Sequence, residues 1–188
     1  MQHATSPHRG VAVWFTGLSG AGKTTLCRAL ETELRATGYA VHVLDSEDIR
    51  RHLSRDLGFT KADRDKHVLR LGGLARTLVR QGVIVLVAAI SPYREARSRV
   101  REHIGSFLEV YVNAPVATCI QRDPKRLYAR ALAGEIRNVT GIDDPYEPPL
   151  APDVECKTGD ESCEECMRKV HAAIRDAVQL TPAGLMEA

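Results

Sequence analysis

Eight consecutive residues carry the most legible chemistry of this 188-residue chain: Gly17-Leu18-Ser19-Gly20-Ala21-Gly22-Lys23-Thr24. Glycines at this spacing let backbone N–H groups curl around a polyphosphate, a lysine here reaches the β- and γ-phosphates, and the threonine hydroxyl is placed to hold Mg²⁺. An apolar run at 11–15 precedes the motif and a helical pattern follows it. The loop therefore sits where a strand passes into a helix, and the helix adds the positive end of its dipole. The pattern predicts a nucleoside triphosphate site over Gly17, Ser19, Gly20, Ala21, Gly22, Lys23 and Thr24, with Thr24 on the metal.

Such a loop needs a sheet to carry it. Leu26, Leu30 and Leu34 recur at helical spacing after the motif, and Gly38 ends that helix. A short strand over 41–44 runs into Asp45. Residues 48–56 read as a charged helix, 57–59 as a loop, and Thr60 or Asp63 caps a longer helix to about 81. The unbroken apolar run 83–90 reads as a strand buried on both faces of a parallel sheet. A helix over 93–103, a strand over 107–112, a short helix over 115–121, a strand near Val154 and a helix over 163–178 complete the pattern. Alternating strands and helices predict a parallel α/β domain whose strand ends share one side, which gathers the phosphate loop, Asp45, Ser91 and Asn113.

The length fits one domain over 11–180, with flexible segments expected at 1–10 and 181–188. Its net charge of +2, from 26 basic and 24 acidic residues, excludes a general nucleic-acid binder and favours small anionic partners. No apolar stretch approaches the roughly 20 residues of a membrane span, and residues 1–10 lack the core of a secretion signal, so a cytoplasmic location is expected. Cys27 and Cys119 fall in helical patterns and read as core. Cys156, Cys163, Cys166 and His171 leave a zinc site open, against which Ser162 and Glu165 form a capping box that makes Cys163 and Cys166 first-turn residues of the last helix.

The acceptor of a transferred phosphoryl group has to be read from the other strand ends. Asp45 can accept a hydroxyl proton or hold a water on Mg²⁺, or it can simply cap the helix that follows. Among the arginines around it, Arg50 and Arg64 are the candidates for phosphate or sulfate oxygens, which planar guanidinium forks suit. Residues 122–149 are basic first and then rich in glycine and proline. They read as a mobile lid that brings cations over the reacting phosphate and excludes water.

These residues, together with Leu57-Gly-Phe59, Asp63-Arg64, Ile90-Ser-Pro-Tyr-Arg94, Gln121-Arg-Asp123, Leu127-Tyr128, Ala133-Gly-Glu-Ile136 and Thr140-Gly-Ile-Asp-Asp-Pro-Tyr-Glu147, resemble the adenylylsulfate kinase family in register from about 11 to 178. The resemblance implies a three-layer P-loop NTPase fold: a five-stranded, mainly parallel sheet flanked by helices, plus the lid. It further implies transfer of the ATP γ-phosphate to the ribose 3′-hydroxyl of adenosine 5′-phosphosulfate, giving the sulfate donor PAPS for sulfate assimilation. Mg²⁺ with ATP, a homodimer and a functional link to ATP sulfurylase come with it. Gly20 to Thr25, with Arg122, would hold the ATP phosphates and the tail around Thr158 to Cys166 would close over the ATP base. Lys23, Asp45 and Ser91 form the catalytic set, Ser91 being known in the family as a phosphoserine that direct transfer does not need. Asp45, Glu47, Arg50, Phe59, Arg64, His67, Ile90, Ser91, Lys125, Asn138 and Val139 would line the acceptor pocket, Phe59 stacking on the adenine and Lys125 approaching from the lid.

The chain departs from the family pattern at several acceptor-facing positions. It reads Asp45-Ser46-Glu47 for Asp-Gly-Asp, His67 for asparagine, Arg126 for glycine and Asn138-Val139 for Gly-Phe. Taken alone, His67 reads as a surface histidine of its helix. Two alternatives stay open: a kinase of the same fold acting on a different small nucleotide or specialised metabolite, and a non-catalytic domain that senses PAPS.

Overall fold

The computed structural model describes residues 9–179. Five strands, β1 (Val11–Thr16), β2 (Val41–Asp45), β3 (Ile84–Ala88), β4 (Phe107–Asn113) and β5 (Val154–Lys157), form one sheet in the order β2-β3-β1-β4-β5. Every strand pair is parallel. Seven helices, α1 (Lys23–Ala36), α2 (Ser46–Leu53), α3 (Lys61–Arg80), α4 (Arg94–Ile104), α5 (Val116–Arg122), α6 (Leu127–Leu132) and α7 (Cys163–Gln179), join and cover it. No helix among the described residues is long and apolar enough to cross a membrane.

The apolar runs explain the layering. β1 and β3 are buried at every position, as continuous hydrophobic strands in the middle of a parallel sheet must be. Alternate residues of β1 feed two cores. Val11, Val13 and Phe15 pack with Leu26, Leu30 and Leu34 of α1 and with Val170 and Ile174 of α7. Ala12 and Trp14 pack on the other face with Val68, Leu71 and Ala75 of α3 and Val100 of α4.

Element boundaries differ from expectation in informative places. α2 begins at Ser46, two residues early, because the Asp45 carboxylate accepts the Glu47 backbone N–H at 2.9 Å and starts the helix at once. β3 stops at Ala88, and the chain leaves the sheet through Ser91, whose φ of 40° lies in the left-handed region. Gly10 is buried, and a Cβ there would come within 2.2 Å of the Val79 carbonyl oxygen, so packed structure starts before Val11. The rest of the expected leader, residues 1–8, and the expected tail at 181–188 lie outside the described residues.

The segment 122–149 divides in two. Its first part carries α6, and its second is strapped down: Tyr93 Oη donates to Asp144 at 2.8 Å, the Arg94 backbone N–H donates to Glu147 at 2.8 Å, and the Thr16 and Tyr146 hydroxyls meet at 3.0 Å. Cys27 and Cys119 are buried core residues. The capping box at the start of α7 is present, Ser162 N–H to Glu165 at 2.8 Å and Glu165 N–H to Ser162 Oγ at 3.2 Å. Among the described residues no group of His, Cys, Asp and Glu is arranged to hold a metal ion.

Candidate active site

The phosphate loop joins β1 to α1, and its glycines have separate reasons. Gly17, Gly20 and Gly22 all have positive φ, and Gly17 lies so close to β4 that a Cβ would approach the Val112 carbonyl oxygen to 2.4 Å. Lys23 Nζ folds back over the loop and donates to the carbonyls of Gly17 at 2.9 Å and Leu18 at 2.7 Å. Burial lowers its pKa from 10.5 to about 8. Three distant residues hold the loop from outside. Tyr128 Oη donates to Ser19 O at 3.0 Å, Thr158 Oγ1 to Ala21 O at 2.7 Å, and Arg122 to Gly20 O at 3.3 Å while also gripping Thr158 O at 2.6 Å.

This loop forms one wall of a crevice of about 750 Å³. Across it, Asp45 at the end of β2 accepts the Thr24 hydroxyl at 2.9 Å through Oδ2 while Oδ1 caps α2. The catalytic and capping readings of Asp45 are therefore compatible, one oxygen to each. Farther along, the half-exposed Phe59 ring sits under two guanidinium groups, Arg50 at 4.7 Å and Arg64 at 5.6 Å. Arg50 also donates to Gly58 O at 2.7 Å and Arg64 to Phe59 O at 3.0 Å, which tethers the loop before α3. Glu47 and Lys125 pair over the mouth of the crevice.

Most sequence-predicted site residues meet here. Ser19 to Thr25, Asp45, Glu47, Arg50, Phe59, Arg64, His67, Ile90, Ser91, Arg122, Lys125 and Thr158 all line the crevice. Gly17, Asn138 and Val139 do not. Gly17 packs against β4, Val139 is buried in the core, and Asn138 contributes its carbonyl to Arg64 from behind. Ser91 lines the wall, yet its hydroxyl accepts from Trp14 Nε1 at 3.0 Å and donates to Thr16 Oγ1 at 3.1 Å, both fully buried partners. His67 is not the surface histidine its helix position suggests. It is 3% exposed, with Nε2 2.9 Å from Ser46 Oγ and Nδ1 2.9 Å from Ser54 Oγ. Burial, aided by the Arg50 charge, lowers its pKa from 6.5 to about 4 and keeps the ring neutral. Ser46, one of the departures from the family pattern, and Glu161 and Cys163, within the 158–166 tail expected over the ATP base, also line the crevice.

A parallel sheet whose central strand delivers a phosphate cradle to a crevice shared with a carboxylate is the site of a P-loop kinase, an ATP-dependent phosphotransferase. The comparisons narrow the class. The adenylylsulphate kinase family model matches residues 9–157. An adenylyl-sulfate kinase of Synechococcus sp. (strain JA-3-3Ab) is 58% identical over 167 residues, covering 89% of this chain and 95% of the relative, and one of Rippkaea orientalis is 57% identical over 162 residues, 86% and 90%. The solved Mycobacterium tuberculosis APS kinase CysC, in complex with AMPPNP and APS, superposes with a TM-score of 0.86 at 43% identity, covering 90% of this chain and 99% of that one. The chain belongs to the adenylylsulfate kinase family.

Proposed function

We propose that this kinase transfers the γ-phosphoryl group of ATP to the 3′-hydroxyl of adenosine 5′-phosphosulfate, giving PAPS. The observation that carries the reading is Asp45: its carboxylate meets the Thr24 hydroxyl of the phosphate loop at 2.9 Å and stands on the same crevice as Arg50, Phe59 and Arg64. In this reading the loop amides and Lys23 grip the β- and γ-phosphates. Asp45 gives up its bond to Thr24 and accepts the proton of the attacking hydroxyl, aligning it with the γ-phosphorus for in-line displacement. Phe59 stacks on the acceptor base while Arg50 and Arg64 face the phosphosulfate. Thr24 and Asp45 present only oxygen donors, which suits a hard divalent cation. Mg²⁺ held by Thr24 would neutralise charge on the β- and γ-phosphates. The engaged hydroxyl of Ser91 supports a direct transfer in which Ser91 holds the turn beside the acceptor and does not itself react.

Lys125 comes from the exposed part of 122–149, whose closure over bound ATP would break its pair with Glu47 and carry the cation to the reacting phosphate. The anchored part, tied through Asp144, Tyr146 and Glu147, then serves as the hinge base. A homodimer, a cytoplasmic location and an acceptor supplied by an ATP sulfurylase complete the proposal.

The test is the product. Mass spectrometry of the reaction of ATP with micromolar adenosine 5′-phosphosulfate is expected to find one added phosphoryl group on the 3′ oxygen. No product under those conditions, with turnover on another nucleotide in a panel, would replace this acceptor. Asp45→Asn is expected to lower kcat by about 100-fold or more, in the range of a lost general base, with the KM for ATP little changed.

A further inference from the structure

The acceptor side of the crevice holds a hydrogen-bonded chain that the reaction above does not use. It runs from Ser46 Oγ to His67 Nε2 at 2.9 Å, and from His67 Nδ1 to Ser54 Oγ at 2.9 Å. Ser54 Oγ in turn receives an N–H from Arg70 at 3.4 Å. Arg70 is fixed by both carboxylate oxygens of Asp56, at 2.6 and 2.7 Å, and by the Leu53 carbonyl at 2.7 Å. Ser54 and His67 are 1% and 3% exposed, and Ser46 and His67 both line the crevice.

Counting protons orients the chain. The neutral imidazole has one N–H and one bare nitrogen. Ser54 Oγ already accepts from Arg70, and among the described residues His67 Nδ1 is the acceptor within reach of its own proton. A Ser54 hydroxyl that did not donate to Nδ1 would be buried with its proton unpaired, which costs more than the bond is worth. The ring proton is thus on Nε2, pointing at Ser46. Ser46 Oγ accepts it and keeps its own O–H to give, and no acceptor for that proton is found among the described residues. The open direction is the crevice that Ser46 lines.

We infer that Ser46 binds the acceptor nucleotide, donating its hydroxyl proton to an uncharged oxygen or ring nitrogen of that molecule, and that His67 is the positioning residue that sets this polarity. The inference rests on the acceptor reading of the crevice given above. It makes the Ser46–His67 pair part of acceptor recognition, since with one lone pair of Ser46 Oγ taken by the ring N–H, its O–H is the group that satisfies a bare oxygen or nitrogen at that point.

Two measurements test it. ¹⁵N chemical shifts of the histidine-labelled protein, with the His67 signals assigned by their loss in His67→Gln, are expected to show the tautomer protonated on Nε2. Protonation on Nδ1 would overturn the polarity whatever the substrate is. In steady-state kinetics, Ser46→Ala is expected to raise the KM for adenosine 5′-phosphosulfate about 2- to 10-fold, the worth of one neutral hydrogen bond, with kcat and the KM for ATP unchanged. His67→Asn, whose amide reaches only the Nδ1 position, should raise the same KM, and His67→Gln, which restores an N–H near the Nε2 position, should return it to within about twofold of wild type. An unchanged acceptor KM in Ser46→Ala would sink the proposal. Absence of turnover by the wild type would instead count against the acceptor named above, and the tautomer readout is independent of that result.

Discussion

Lys23 is where burial and function pull against each other. Its ammonium is held by two loop carbonyls and its pKa has fallen to about 8 because the charged form is poorly solvated there. A polyphosphate in the cradle supplies negative charge and raises that pKa again. Above about pH 8 the free protein carries a neutral Lys23 and the nucleotide complex a charged one, so binding takes up a proton and weakens by up to about tenfold per pH unit. Below about pH 8 both states are protonated and affinity is flat. Calorimetric titration of ADP in buffers of different ionisation enthalpy is expected to show about no proton uptake near pH 7 and an uptake approaching one near pH 9, lost in Lys23→Met. The ligand-free protein has the opposite sign. Between about 8 and 10.5 the unfolded chain binds the proton that the folded one has shed, so stability against unfolding rises with pH across that window.

At the scale of the elements, Gly17 shows how a motif position can belong to packing. It sits at the end of β1 with φ 153°, beside the Val112 carbonyl of β4, and outside the crevice wall. Gly17→Ala would push β1 and β4 apart at their catalytic ends. The variant is expected to lose about 2 kcal/mol or more of stability by thermal or denaturant unfolding, from both strain and overlap. Why this was not legible follows from the same geometry: the motif fixes which residues are glycine, and only the neighbouring strand says which glycine faces phosphate and which faces a carbonyl. The strands were legible because runs such as Ile84–Ala88 are apolar throughout. Helix starts were less so, since α2 depends on one carboxylate oxygen of Asp45. Lys23 and Thr24 could be found because their partners lie in one short loop. The contacts of Tyr128 and Ser46 could not: one reaches the Ser19 carbonyl across 109 positions, and the other meets a histidine 21 positions away, with no spacing to announce either. Arg126 and Asn138, at φ 54° and 59°, occupy left-handed positions where glycine would be unstrained, which no local spacing announces.

For the whole molecule, the two halves of the crevice hang on different supports. The nucleotide half is braced from outside by Arg122, Tyr128 and Thr158. On the acceptor half the brace is Arg97. This side chain of α4, only 2% exposed, donates to Glu109 of β4 at 2.7 Å, to the Ser91 carbonyl at 2.6 Å and to the Glu147 carbonyl at 2.7 Å. It therefore ties the sheet, the turn beside the acceptor and the strap of 138–147 into one body. Removing it leaves Glu109, among the described residues, with the more distant Arg101 at 3.7 Å, the Ser91 carbonyl with a long bond from Thr16 Oγ1 at 3.5 Å, and the half-buried Glu147 carbonyl without this donor. Loss of one partner of a buried pair costs about 3–5 kcal/mol, so Arg97→Met is expected to lower the melting temperature by roughly 10 °C for a domain of this size. Because the nucleotide half has its own braces, the variant at a temperature where it remains folded should raise the KM for the acceptor and leave the KM for ATP close to wild type. Thermal unfolding and two-substrate kinetics on the same preparation decide it: equal rises in both constants would mean that the crevice is a single mechanical unit, and an unchanged melting temperature would mean that Arg97 is not its brace.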